Sequence, residues 1–271
     1  MTDFALRPLS LGEILDRAFS LYRSNFLLFV GISGISQLLI LAVTLPTTLL
    51  SVSLTTGMTL ITLFVTVVIS LVAYLFSQGG TILAVSQLYL GRPTSIGESL
   101  RRVWEEFGSL FGVTILVGLA VLGGFILFVI PGIYVACRLL VSLPSALIEN
   151  RGPRESLSRS FGLTRDYAGR AFVILLFSAV LTYAATALFA MPFAIGVATA
   201  ANDPEMLRIW QALTRVGSSV GAILVGPIPL IANSVFYYDL RVRKEAFDLQ
   251  FMMNPDSQRP PNPSGIPSIL S

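Results

Sequence analysis

The sequence has no histidine, one cysteine and few charges for its length, and each shortage removes a class of function. Without histidine, the commonest general base and the commonest metal ligand are both missing. No catalytic residue, metal site or cofactor is therefore expected. Cys137 has no second cysteine to pair with; within an apolar stretch it reads as a small core residue. Charged residues make up 12% of the 271 residues, against roughly 25% in an ordinary soluble domain. Hydrophobic residues make up 54% and the mean hydropathy is +0.78. A soluble core cannot hide that much apolar surface, so the expected class is an all-α polytopic membrane protein. The first nine residues are mixed and an amphipathic segment follows, which is not the pattern of a signal peptide.

Charge is also missing locally. None lies between Arg23 and Arg92, between Glu106 and Arg138, between Arg170 and Asp203, or between Arg215 and Asp239. A spanning helix needs about 20 apolar residues, and the first gap holds two. The pattern predicts six spans: about 25–44, followed by a turn at Pro46; 57–77, with a bend at Gly79-Gly80 before a helix to Leu90; 108–129; 133–148; 171–195; and 217–238. A single helix over 107–149 would be roughly 65 Å long, twice a bilayer core, so a tight turn is expected at Pro131-Gly132. After Met253 a Pro-rich stretch, 254–271, has too little apolar surface to pack and is expected to be disordered.

Basic residues near the span ends fall mostly on one side, from Arg7, Arg17 and Arg23 through Arg151–Arg170 to Arg241, Arg243 and Lys244. Only Arg208 and Arg215 fall on the other. The positive-inside rule then puts both termini in the cytoplasm of a multi-pass inner (plasma) membrane protein. The net charge of +3 reflects this pattern and gives no support to nucleic-acid binding.

A motif, Glu-x-Leu-x-Arg-x-aromatic, occurs three times: Glu13/Arg17/Phe19, Glu98/Arg102/Trp104 and Glu155/Arg159/Phe161. Each copy stands before an uncharged stretch, and the copies start 85 and 57 residues apart. The expected architecture is three hairpins in one domain over 1–253, with units of about 9–90, 94–150 and 152–250. A short amphipathic cytoplasmic helix precedes each hairpin. Ser10 and Ser95 stand three residues before Glu13 and Glu98, the spacing of a capping box, and Gly152-Pro153 suits a helix start. Glu and Arg four apart in each copy suit i,i+4 pairing. Leu11, Ile14, Leu15, Ala18, Phe19 and Tyr22 form an apolar stripe fitted to a membrane interface; the third copy, with Ser156 and Ser160 in its stripe, suits packing on protein. One reading makes these helices elbows that set hairpin angles. The other has Arg17, Arg101, Arg102 and Arg159 bind anionic lipid headgroups or an acidic partner, at about 1 kcal/mol per charge.

Arg138, the one charge inside a predicted span, reads either as a cavity or phosphate anchor or as a residue snorkelling outward. Ser77, Gln78, Thr81, Ser86 and Gln87 read as packing glue or as a substrate path past a broken helix. The segment Tyr237-Tyr238-Asp239-Leu240-Arg241-Val242-Arg243-Lys244-Glu245 reads as an interfacial anchor continuing to Phe251, with Asp239 able to pair with Arg243 and Arg241 with Glu245.

Several segments, in order, resemble a bacterial integral-membrane family. They are the residues from Leu9 to Arg23, Ile130-Pro-Gly-Ile-Tyr-Val-Ala-Cys-Arg-Leu, Pro144 leading to Glu149, Ser158-Arg-Ser-Phe-Gly-Leu-Thr-Arg, and Tyr237 to Glu245. The family is named for the membrane domain of glycerophosphoryl diester phosphodiesterase, and the resemblance spans most of residues 8–250. In its phosphodiesterase members, the chemistry sits in a separate soluble domain that uses histidines. The resemblance therefore implies a membrane domain without the activity of the name. The function expected is a non-enzymatic scaffold or accessory unit that holds anionic lipids, a partner membrane protein or a second copy of the chain. The alternative is a transporter or lipid-export component.

Overall fold

The computed structural model describes residues 7–49, 56–200 and 202–245, and among them every regular element is a helix. In order these are α1 (Leu11–Ser24), α2 (Phe26–Leu49), α3 (Thr56–Tyr89), α4 (Ile96–Glu105), α5 (Phe107–Leu127), α6 (Val129–Arg138), α7 (Ser142–Glu149), α8 (Pro153–Leu163), α9 (Ala168–Thr199), α10 (Pro204–Val225) and α11 (Pro227–Glu245). Six stretches are long and apolar enough to cross a membrane: Phe26–Leu49, Gly57–Tyr89, Phe107–Leu127, Val129–Glu149, Ala168–Thr199 and Pro204–Glu245. The Pro-rich stretch and the continuation to Phe251 lie outside the described residues.

Each motif copy opens a helix, α1, α4 or α8, and each start has a local cause. At α1 the capping box is complete: the Ser10 hydroxyl accepts the Glu13 N–H at 3.3 Å and the Glu13 carboxylate accepts the Ser10 N–H at 2.7 Å. These contacts and an ion pair with Arg7 hold the Glu13 carboxyl near pH 2. At α4, Ser95 accepts the Glu98 N–H. At α8, Gly152 is the cap and Pro153 the first helical residue, where its missing N–H leaves nothing unsatisfied. The i,i+4 pairing expected of all three copies forms in one, Glu98–Arg102 at 2.8 Å. Glu13 turns back to Arg7, and Arg159 reaches two other carboxylates, because longer-range partners are better placed.

Several breaks fall elsewhere than the sequence suggests. Gly79-Gly80 do not interrupt the helix; α3 runs unbroken for 34 residues, about 50 Å. The two glycines serve close approach. A Cβ on Gly79 would lie 2.9 Å from Val103 Cγ2 and 3.0 Å from Leu110 Cδ2, and one on Gly80 would lie 2.9 Å from Ile32 Cγ2. Pro46 sits inside α2 rather than in the turn after it, while the hydroxyls of Thr47 and Thr48 both donate to the Thr44 carbonyl. The turn expected at Pro131-Gly132 comes at Phe128, whose backbone is extended. Pro131 then occupies the first turn of α6, where no N–H is needed. The fourth span breaks into α6 and α7, and Asn233 of α11 donates to the Leu140 carbonyl in the gap at 2.9 Å.

The sixth span also differs. It begins at Pro204, capped by Asp203, and breaks at Gly226 ahead of Pro227 and Pro229. α10 packs antiparallel along α9: Trp210 covers Gly196, the Phe189 carbonyl abuts Gly217, and the Ala185 carbonyl abuts Gly221. Small residues bring the two backbones together, as in membrane helix pairs generally.

The core gathers around α11, of whose 19 residues 14 are buried. α1 packs along it, with Ile14, Ala18, Leu21 and Tyr22 in the same cluster as Ile231, Val235, Phe236 and Tyr237. This corrects the expectation that α1 lays its apolar face on lipid: α11 occupies that face. Ser156 and Ser160 of α8 are fully buried against protein.

Candidate functional site

The C-terminal half of α11 carries the densest polar cluster among the described residues. Tyr237, Tyr238, Asp239 and Arg241 are at most 9% exposed. The reading of this segment as an interfacial anchor is thereby corrected: these side chains lie inside protein. Helical spacing sends its carboxylates and guanidiniums in two directions, with Asp239 and Arg243 on one side and Arg241 and Glu245 on the other.

On one side stands Glu149, the last residue of α7, its side chain 9% exposed. Arg159 of α8 donates to both its oxygens at 2.9–3.0 Å, the Tyr237 hydroxyl donates to Oε1 at 2.7 Å, and Arg151 pairs with Oε2 at 2.5 Å. Arg241 lies 3.8 Å away and also pairs with Glu245, as does Arg159. Burial by itself would lower the Arg159 pKa, but hydrogen bonds to Glu245 and Glu149 raise it above the ordinary arginine value. α7 ends in a left-handed residue, Asn150 (φ 51°), which turns the chain from Glu149 towards α8.

On the other side, Asp239 is fully buried. It accepts the Leu9 N–H at 2.7 Å and both oxygens meet Arg243 at 3.0 Å, with Arg170 of α9 at 3.2 Å. Arg170 and Arg243 also donate to the Leu9 carbonyl, at 2.7 and 2.6 Å. Between the two sets, the Tyr238 hydroxyl donates to Ser86 of α3 at 2.9 Å, and the Tyr238 ring stacks on Tyr89 at 4.5 Å. Arg17 of α1 lies over Tyr89 and donates to its hydroxyl at 3.3 Å. Ser86 thus takes part in the α3–α11 contact.

Arg138 joins the cluster's edge. It donates to Thr164 Oγ1, Tyr134 Oη and the Phe161 carbonyl at 3.2, 2.8 and 2.6 Å, between the two rings. Its own carbonyl accepts the Ser160 and Thr164 hydroxyls. Lys244 donates to the Gly162 carbonyl and pairs with Asp166, whose carboxyl this contact lowers. Two cations thus meet the last carbonyls of α8, where the helix dipole favours positive charge. Arg138 is thus held by protein groups while its side chain stays partly exposed.

The structure therefore brings together Arg17, Arg138, Arg159, Tyr237, Tyr238, Asp239, Arg241 and Arg243. It leaves Arg101 and Arg102 apart on α4. The motif aromatics Phe19, Trp104 and Phe161 are all at the surface, 38%, 69% and 36% exposed. Sequence reasoning missed Glu149, Arg170 and Tyr89 as partners. Glu149 had a signal, being the one acid at the end of an otherwise apolar run. Glu149, Asp239 and Glu245 each face two or more guanidiniums, and with the Tyr238–Ser86 and Arg17–Tyr89 hydrogen bonds the cluster clamps helices α1, α3, α7, α8, α9 and α11. Among the described residues no group of three or more cysteine, aspartate or glutamate side chains is placed to hold a metal. No family model, curated protein or solved structure matches the chain.

Proposed function

We propose that this chain is a non-enzymatic scaffold or accessory domain of the bacterial inner (plasma) membrane. Its termini are cytoplasmic, and it belongs with the glycerophosphoryl diester phosphodiesterase membrane-domain family. The segment order given above supports the family, and the one-sided arginines support the orientation. In this reading the clamp around α11 is structural and the lipid- or partner-binding surface is α4. The observation that carries it is a division among the arginines. Arg17, Arg138 and Arg159 bond to groups on other elements of the fold, whereas Arg101 and Arg102 pair with Glu105 and Glu98 on their own helix, and the Arg101 side chain is 75% exposed, one helical turn from the exposed Trp104. An exposed Trp beside an Arg suits the headgroup zone.

The test is native mass spectrometry of the protein gently extracted from its own membranes. The double variant Arg101→Gln, Arg102→Gln is expected to lose retained anionic lipid or partner, by up to about 1 kcal/mol per charge. Unchanged retention would contradict the assignment. Arg159→Gln is expected to lower stability instead.

A further inference from the structure

A recess separate from α4 opens where α8 begins against the flank of α5. The Ser109 hydroxyl near the start of α5 donates to the Arg151 carbonyl at 3.1 Å, which sets the head of α8 beside the first turns of α5. Gly112 permits the approach: a Cβ there would lie 2.8 Å from Pro153 Cγ. The result is a recess of about 570 Å³, within the range of small-molecule sites, about 300–1,000 Å³. Its wall runs along α5 through Phe111, Ile115 and Leu116, and its mouth is formed by Pro153, Arg154 and Glu155.

The recess is apolar along its length and charged at one end. α5 is one of the six membrane-crossing stretches, and Phe111 and Ile115 are 42% and 39% exposed on its outer side. From Phe107 to Leu116 is about 14 Å along the helix, so the wall leads from the charged end of the span into hydrocarbon depth. At the mouth, Arg154 and Glu155 are both exposed, and among the described residues neither forms an ion pair. No side chain caps the first turn of α8. One cation and one anion, adjacent and unspent, complement a headgroup that itself carries both charges.

We propose that this recess binds a zwitterionic aminophospholipid. One acyl chain lies along Phe111, Ile115 and Leu116, the phosphate meets Arg154 and the first N–H groups of α8, and the primary ammonium meets Glu155. The ligand class differs from the anionic lipid assigned to α4, and the site stands or falls separately.

The test titrates delipidated full-length protein with phosphatidylethanolamine, phosphatidylglycerol and phosphatidylcholine separately, reading bound lipids by native mass spectrometry. Wild type is expected to hold one phosphatidylethanolamine more tightly than either other lipid. Ile115→Trp, which fills the recess, is expected to remove that binding. Glu155→Gln is expected to cut the preference over phosphatidylglycerol by about fivefold, the worth of one charge at a membrane surface. Arg154→Gln is expected to weaken both lipids. Both mouth residues are exposed, so these two variants read binding without a loss of fold. A wild type that prefers phosphatidylglycerol, or an Ile115→Trp variant that binds as wild type does, would overturn the proposal. Loss of anionic lipid in the α4 double variant leaves this result untouched, so the two readings fail independently.

Discussion

α9 and α11 bury their side chains in opposite ways. α9 has 32 residues and a single charge, Arg170, yet only four of its residues are buried; Leu188 and Tyr183 are more than 70% exposed. α11 has 19 residues, five of them charged, and 14 are buried. In water this would be a poor arrangement. Against lipid it is the stable one: hydrocarbon accepts the flank of α9 without loss, whereas the charges of α11 must find partners inside the protein. The charges of α11 do so within 3.8 Å, with partners on α7, α8 and α9, in the α8–α9 connection and in the segment before α1.

The comparison breaks most sharply at Asp239. Asp239→Ala removes the carboxylate shared by Arg170, Arg243 and the Leu9 N–H, and leaves two guanidiniums uncompensated. Breaking a buried pair in this way costs about 3–5 kcal/mol. A large fall in the thermal unfolding midpoint in detergent is expected, with Glu149→Ala in the same range. Glu245→Ala is expected to cost less, because Arg159 and Arg241 keep Glu149. Equal, small shifts for all three would mean that the clamp contributes nothing net.

A smaller effect sharpens the contrast at a more exposed carboxylate, Glu13, whose side chain is 38% exposed. The Glu13 carboxyl is held near pH 2 by the Ser10 N–H and Arg7, well below its ordinary value of 4.5. A depressed pKa adds stability that is fully present above pH 4.5 and is lost as the pH falls towards 2. Glu13→Gln is expected to flatten the unfolding midpoint against pH in that window by a small amount, since the group is solvent-exposed. An unchanged profile would mean that the capping contacts are not maintained in solution.

Much of this arrangement is legible in the sequence, for identifiable reasons. Uncharged runs between Arg23 and Arg92 or Arg170 and Asp203 mark spanning helices because hydrocarbon excludes charge. Ser10 and Glu13 mark a helix start because the capping box is local. The i,i+4 pairs Asp239–Arg243 and Arg241–Glu245 follow from spacing alone. What could not be read depends on contacts distant in sequence. Gly79 and Gly80 look like a hinge until Val103, Leu110 and Ile32 are seen against them. Tyr237 and Tyr238 look like interface residues because aromatic pairs beside basic runs usually are; Glu149 and Ser86, about 90 and 150 residues away, make them interior ones. The arginines of the motif are alike in sequence, yet Arg102 stays on its own helix while Arg159 leaves it, and only the position of Glu149 and Glu245 decides this.

The most direct test of the inside–outside account is the quenching of tryptophan fluorescence by lipids brominated on their acyl chains. In a background carrying Trp104→Phe and Trp210→Phe, a tryptophan is placed at Leu188 of α9 or at Phe236 of α11. The account predicts strong quenching at position 188 and little at 236, where the native ring is fully buried. Comparable quenching at the two positions would show that α11 meets lipid, and would contradict the arrangement on which the clamp, and the division of arginines around it, depend.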